Sequence, residues 1–176
     1  MIYKIKAGRH FSNRLFPRFH LGTKRVSFIV NLYGSCYYEA PQHSRAAEQI
    51  NKLPGLTYGF YPRHQNEFQF GWRSVPGEGV AELFAYFWIN GKKLGTNEIV
   101  ENYKLCDIDF NQNYYLDIFY LRGKIFYYVS DIESNILASK EVEYNGDVKG
   151  GWILKPYNGG TETYDQDMYS EVIRVY

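Results

Sequence analysis

Cysteine is scarce in this chain, and the two residues there are, Cys36 and Cys106, have neither metal-ligand spacing nor the CxxC geometry of a redox pair. Two free thiols are expected in preference to one disulfide. A surplus of charge is missing too, with 20 basic and 19 acidic side chains and a net charge of +1. That balance offers no long-range attraction to nucleic acid or an anionic membrane, and neither is expected as a partner. No segment approaches the roughly 20 apolar residues of a membrane-spanning helix. The start, Met1-Ile2-Tyr3-Lys4, alternates at once instead of forming a signal-peptide core. Synthesis in a cytoplasm without a cleaved signal is therefore the expectation. Nucleophile signatures are also absent: there is no Gly-x-Ser-x-Gly elbow, and neither cysteine adjoins a histidine.

Aromatic residues, by contrast, make up 19% of the chain, with 18 tyrosines among them. A tyrosine can pack its ring in a core and leave its hydroxyl at a wet edge, which suits a β-sandwich with recognition surfaces. The segment Asn66-Glu67-Phe68-Gln69-Phe70-Gly71-Trp72-Arg73 shows the pattern most clearly. Phe68, Phe70 and Trp72 share one parity and Glu67, Gln69 and Arg73 the other, as on a strand whose successive side chains point to opposite faces. After a Pro76-Gly77 turn, Glu82-Leu83-Phe84-Ala85-Tyr86-Phe87-Trp88-Ile89-Asn90 reads as the antiparallel partner, so both faces of the pair carry rings.

Strand-like runs recur at residues 3–7, 24–32, 56–61, 67–73, 81–89, 114–121, 125–130, 136–144, 151–155 and 167–175. The breaks carry turn chemistry: Asn90-Gly91, Arg122-Gly123 and Asn145-Gly146 tolerate positive φ, and the two Asn-Gly pairs are hairpin signals. One short helix is expected, over 44–53, with Ser44 as N-cap and Pro54-Gly55 as its stop. Repeats, low-complexity segments and linkers are absent, so the 176 residues are expected to form one domain.

His64-Gln65-Asn66 precedes the aromatic strand and brings hydrogen-bonding groups near Gln69 and Arg73. Such a set could hold sugar hydroxyls while Trp72 or Trp88 stacks on a pyranose ring. The alternative is a loop in which His64 and Asn66 satisfy turn backbone and the rings pack the core. Glycosidases need two carboxylates at a defined separation. Glu141 with Glu143, and Asp107 with Asp109, share parity but lie outside the aromatic strands, as charged sheet edges do. A lyase would use His64 or a tyrosine as base, with Arg73 and Gln69 or Asn66 neutralising a carboxylate. Glu162, Asp165 and Asp167 lack an EF-hand pattern and read as solvated turn acids. No catalytic residue, metal site or cofactor is assigned.

Four ordered segments, Tyr3-Lys4-Ile5-Lys6-Ala7-Gly8-Arg9-His10, His64-Gln65-Asn66 with Phe70-Gly71-Trp72-Arg73, Glu82-Leu83-Phe84-Ala85-Tyr86, and Leu154-Lys155-Pro156-Tyr157-Asn158-Gly159-Gly160, resemble a family of uncharacterised concanavalin-like jelly-roll proteins of Bacteroidetes bacteria and their phages. The chain departs from the family's C-terminal pattern, reading Gly159-Gly160-Thr161 and then Tyr164-Asp165-Gln166-Asp167. The resemblance implies an all-β jelly-roll sandwich of two antiparallel sheets with at most one or two short helices, and a bacterial-surface or virion setting.

Together these features lead to the expectation of a non-catalytic glycan- or surface-binding module, with His64, Asn66, Gln69, Arg73, Tyr86 and Trp88 as ligand-binding residues. Its expected partners are a glycan or cell-surface polysaccharide, or other virion proteins. The alternatives are a polysaccharide lyase or glycoside hydrolase on the same scaffold, and a purely structural assembly protein.

Overall fold

The computed structural model describes residues 1–12, 18–39, 50–60, 65–93, 101–157 and 164–175. Within them the alternating runs become strands: β1 (Ile2–Ile5), β2 (Arg18–Leu21), β3 (Arg25–Leu32), β4 (Asn51–Tyr58), β5 (Asn66–Val75), β6 (Val80–Ile89), β7 (Lys92–Lys93), β8 (Lys104–Asp109), β9 (Asn113–Leu121), β10 (Lys124–Asp131), β11 (Ile136–Glu143), β12 (Gly150–Leu154) and β13 (Met168–Arg174). The helical pieces among the described residues are two single 3-10 turns, Gly34–Cys36 and Glu101–Tyr103. No helix among them is long and apolar enough to cross a membrane.

The strands form two antiparallel sheets. A six-stranded sheet runs β1-β13-β3-β9-β10-β11, and a seven-stranded sheet runs β2-β12-β4-β5-β6-β7, with β8 also paired to β6. Strands far apart in sequence become neighbours because the chain repeatedly crosses from one sheet to the other. The result is a jelly-roll sandwich. Its core lies between the sheets: Val26, Phe28 and Val30 of β3 and Ile125, Tyr127 and Val129 of β10 face Phe68, Phe70 and Trp72 of β5 and Leu83, Ala85 and Phe87 of β6. Phe70 meets Tyr127 edge-on across the sandwich, ring centroids 5.3 Å apart. The Tyr127 hydroxyl donates to the Tyr86 carbonyl at 3.1 Å, so this fully buried tyrosine is satisfied within the core.

Two of the expected turns close hairpins. Asn90 and Gly91 have φ of 52° and 74°, and Arg122 and Gly123 have 50° and 81°. Two consecutive left-handed residues match the twist of the flanking strands. Asn145-Gly146 differs: the strands on either side, β11 and β12, belong to different sheets, so this segment is a corner between sheets and not a hairpin. The Tyr144 ring fills the space beside Gly146, where a Cβ would come within 2.4 Å of the tyrosine hydroxyl.

The helix expected over 44–53 is also corrected in its described part. Asn51, Lys52 and Leu53 belong to β4, while residues 44–49 lie outside the described residues. Pro54-Gly55 is not a helix stop but part of a bulge, since the pairing passes from Lys52↔Gly71 to Gly55↔Gln69. Proline is tolerated there because a bulge leaves an unpaired position. Gly55 is required because a Cβ would come within 2.1 Å of the Phe68 carbonyl oxygen. Strands β2, β7 and β8 were not expected as separate elements; each is short and sits at a sheet edge, where burial imposes little alternation. Cys36 and Cys106 are both free thiols.

Candidate functional site

The β5–β6 hairpin pairs Val75 with Val80, and the register then sets Arg73 opposite Glu82, Gly71 opposite Phe84, Gln69 opposite Tyr86 and Glu67 opposite Trp88. Directly opposed residues share a face, so all of these lie on the outer face of the seven-stranded sheet. Lys52 joins them opposite Gly71, and Lys93 opposite Trp88. Gln69, Arg73, Tyr86 and Trp88, four of the expected ligand residues, are thus brought together. Asn66 is not among them. It shares the parity of Phe68, and its Oδ1 accepts from the Asn90 backbone N–H at 3.0 Å, tying down the β6–β7 turn. His64 lies outside the described residues.

Each of the four has work within the fold. Gln69 is buried, and its Nε2 donates to the Leu53 carbonyl at 2.8 Å inside the β4 bulge. Arg73 donates from Nε to Glu82 Oε2, and its guanidinium carbon sits 5.2 Å from the Phe84 ring centroid. Lys104 Nζ contacts Glu82 Oε1 and Asp107 Oδ1, both at 2.8 Å, extending the network to the β8 edge. Burial pushes the Glu82 carboxyl up, but hydrogen bonds from Lys104 and Arg73, with their charges, outweigh it and hold Glu82 below the usual glutamate range.

Tyr86 is the hub of the open end. It is 8% exposed and packs with Ile50 and Phe84, with Trp88 against the cluster. Its hydroxyl accepts from Trp88 Nε1 at 2.9 Å. Lys52 Nζ stands 4.9 Å and Lys93 Nζ 5.7 Å from its ring centroid, and Lys52 is also 5.2 Å from the ring of Tyr157. Ammonium groups over ring faces are cation–π geometry. Burial pushes the Tyr86 hydroxyl up to about 12, with the Trp88 bond opposing. It is therefore protonated at neutral pH.

Glu67 and Thr57, on the same face, are buried along with Gln69, so the middle of the face is shut. Ile50 helps to cover it: a Cβ on Gly71 would come within 2.3 Å of Ile50 Cγ2. Tyr157 is held beside β4 by two backbone hydrogen bonds with Lys52, at 2.7 and 2.9 Å, an antiparallel bridge. What stays accessible is the rim, with half-buried Trp88 and Tyr157 beside exposed Lys93. At the β2 edge Phe19 meets Trp152 edge-on at 5.1 Å.

Lys52, Lys93, Tyr157 and Glu82 are the participants that sequence reasoning passed over. Counting back from the Pro76-Gly77 turn would have placed Glu82 opposite Arg73. Lys52 was hidden by its reading as helix, and Tyr157 reaches the site only through long-range pairing. Of the paired carboxylates, Glu141 and Glu143 on edge strand β11 are matched by Lys124 Nζ at 2.7 and 3.2 Å, and Asp107 by Lys104. Asp167 pairs with Lys4 and accepts from the Ala7 N–H at 2.9 Å, while Glu162 lies outside the described residues.

No family model and no curated protein sequence matches the chain. Among solved structures it superposes on a functionally unknown protein from Saccharomyces cerevisiae with a TM-score of 0.55 at 10% identity, covering 99% of this chain and 86% of that one. It superposes on the alginate lyase from Klebsiella pneumoniae with a TM-score of 0.51 at 8% identity, covering 86% of this chain and 59% of the lyase. At these identities the likeness is one of fold, a β-sandwich of two antiparallel sheets.

Proposed function

We propose that this protein is a glycan-binding module that reads a sugar chain along the Tyr86–Trp88 rim of the seven-stranded sheet. The observation that carries the proposal is the ring and cation assembly there: Trp88 fixed through Nε1 to the Tyr86 hydroxyl, with Lys52, Lys93 and Tyr157 around the Tyr86 ring. Half-buried rings give a sugar an apolar face to lie on, and neighbouring ammonium groups donate to its oxygens. Exposed Lys93 at this rim favours a chain carrying carboxylates, such as a polyuronate. The bacterial-surface or virion setting implied by the family resemblance is where such a chain would be met, and belongs to the same proposal.

The lyase alternative needs His64 or a tyrosine as base; at this rim the Tyr86 hydroxyl is engaged by Trp88 Nε1 and raised by burial, which argues against Tyr86 in that role. A glycan array followed by calorimetric titration with a mannuronate hexasaccharide tests the proposal. Binding is expected, and Trp88→Ala should weaken it at least tenfold, about 1.4 kcal/mol, without changing the melting temperature by more than a few degrees. Absence of binding to every sugar on the array overturns the proposal. Release of unsaturated product from alginate would replace it with the lyase.

A further inference from the structure

The outer face of the six-stranded sheet carries a second set of rings and polar groups, remote from the Tyr86–Trp88 rim. Phe119 on β9 stacks on Phe126 and Tyr128 of β10, with centroids 5.0 and 5.6 Å apart and both interplanar angles 14°. Three near-parallel rings thus stand in a row on a face turned away from the core. They have no part in the packing between the sheets, which uses Ile125, Tyr127 and Val129 of the same strand.

Beside the row is a cleft of about 700 Å³, bordered by Tyr115, Asp117, Phe119, Tyr128, Ser27 and Ser130. That volume lies within the range of roughly 300–1,000 Å³ common for small-ligand sites. A second hollow of about 410 Å³, bordered by Phe126, Ser139 and Glu141, shares the Tyr128 ring with the first. A chain-like ligand could therefore run from one hollow across the rings into the other.

The polar groups in the cleft are fixed in advance. Asp117 accepts from Arg25 Nε at 3.1 Å and Ser27 Oγ at 2.7 Å, and Arg25 Nη2 meets its other oxygen at 2.7 Å. Asp117 is 15% exposed on its side chain while Arg25 is 60% exposed, so the carboxylate forms the floor and the guanidinium the lip. On the far side Lys124 is matched by Glu141 and Glu143. Asp117, Arg25, Lys124, Glu141 and Glu143 are thus matched with one another, and Lys24 stands at the border of the cleft. A carboxylate held in place, serine hydroxyls and near-parallel rings match the hydroxyl and C–H faces of an uncharged sugar.

From this geometry we infer that the six-stranded sheet bears a second saccharide site, for a neutral sugar chain, independent of the site on the opposite sheet. The domain would then hold two different glycans on opposite faces and could bridge them, gaining avidity without further contacts.

The test is amide chemical-shift mapping on the full-length ¹⁵N-labelled chain, with cellohexaose, mannohexaose and a mannuronate hexasaccharide each raised to about 10 mM, well above a weak millimolar constant. At least one neutral hexasaccharide should move the amides of Ser27, Asp117, Phe119 and Tyr128 while leaving those of Trp88 and Lys93 in place. Tyr128→Ala should weaken that response at least tenfold, and Trp88→Ala should not affect it. Ser130→Trp, which fills the cleft without removing core atoms, should abolish it. The inference fails if neither neutral chain moves these amides, if only the acidic chain does, or if Ser130→Trp binds like the wild type. Because the two faces report through different amides, failure at either site leaves the other reading standing.

Discussion

Gln69 Nε2 donates to the Leu53 carbonyl oxygen at 2.8 Å, and this bond closes the bulge where β4 takes one residue more than β5. The Leu53 carbonyl is left over by the bulge and lies on a buried stretch, so the glutamine supplies a partner the ladder cannot. Gln69→Ala should destabilise the protein by about 1–3 kcal/mol, the cost of leaving a buried acceptor unmade. Urea denaturation measures it. A loss of glycan binding with unchanged stability would show instead that Gln69 is a ligand contact.

Phe70 is fully buried between the sheets and packed on Tyr127. Phe70→Ala should cost about 3–5 kcal/mol from lost transfer energy and the cavity left behind. A change below about 1 kcal/mol in reversible denaturation would contradict a buried β5 face.

Glu82 titrates below the ordinary glutamate value of 4.5 because Lys104 and Arg73 hold its charged form. Its contribution to stability is fully present above that ordinary value and is lost as pH falls through the depressed folded value. Glu82→Gln should lower stability by about 2 kcal/mol at neutral pH and flatten this part of the acid-unfolding curve. Asp167, also depressed by Lys4, keeps its own share in the variant. An acid limb identical to that of the wild type would refute the role given to Glu82.

His20 is buried, with Nε2 donating to the Thr57 carbonyl at 3.1 Å. Burial chiefly, and the charge of Arg174, lower its pKa below 6.5, against the pull of the Thr57 bond. The unfolded chain therefore binds this proton first. Stability should be full above pH 6.5 and decline as pH falls through the folded value. In His20→Gln, whose amide can still donate to Thr57, thermal melts between about pH 8 and about pH 5 should lose that component.

Much of the sandwich was legible because burial on one side imprints a period of two. Phe68, Phe70 and Trp72 declared the core face, and Asn90-Gly91 and Arg122-Gly123 declared tight turns, since few other pairs tolerate two left-handed residues. Local chemistry misled where it was correct but outranked. The segment 51–53 has a helical look, yet pairing with β5 makes it strand, and Asn145-Gly146 has hairpin chemistry but turns a corner between sheets.

By itself the sequence determined the fold class, the inward face of β5 and the aromatic wealth of the outer faces, because these follow from residue type and alternation. Only the tertiary structure decided what the polar residues do. Gln69 is engaged by the Leu53 carbonyl, Arg73 by Glu82 and Asn66 by the Asn90 amide, while Lys52 and Tyr157 gather around Tyr86. Those partners come from other strands or turns of the sheet, and which of them meet is set by strand order and register, which one-dimensional periodicity does not contain.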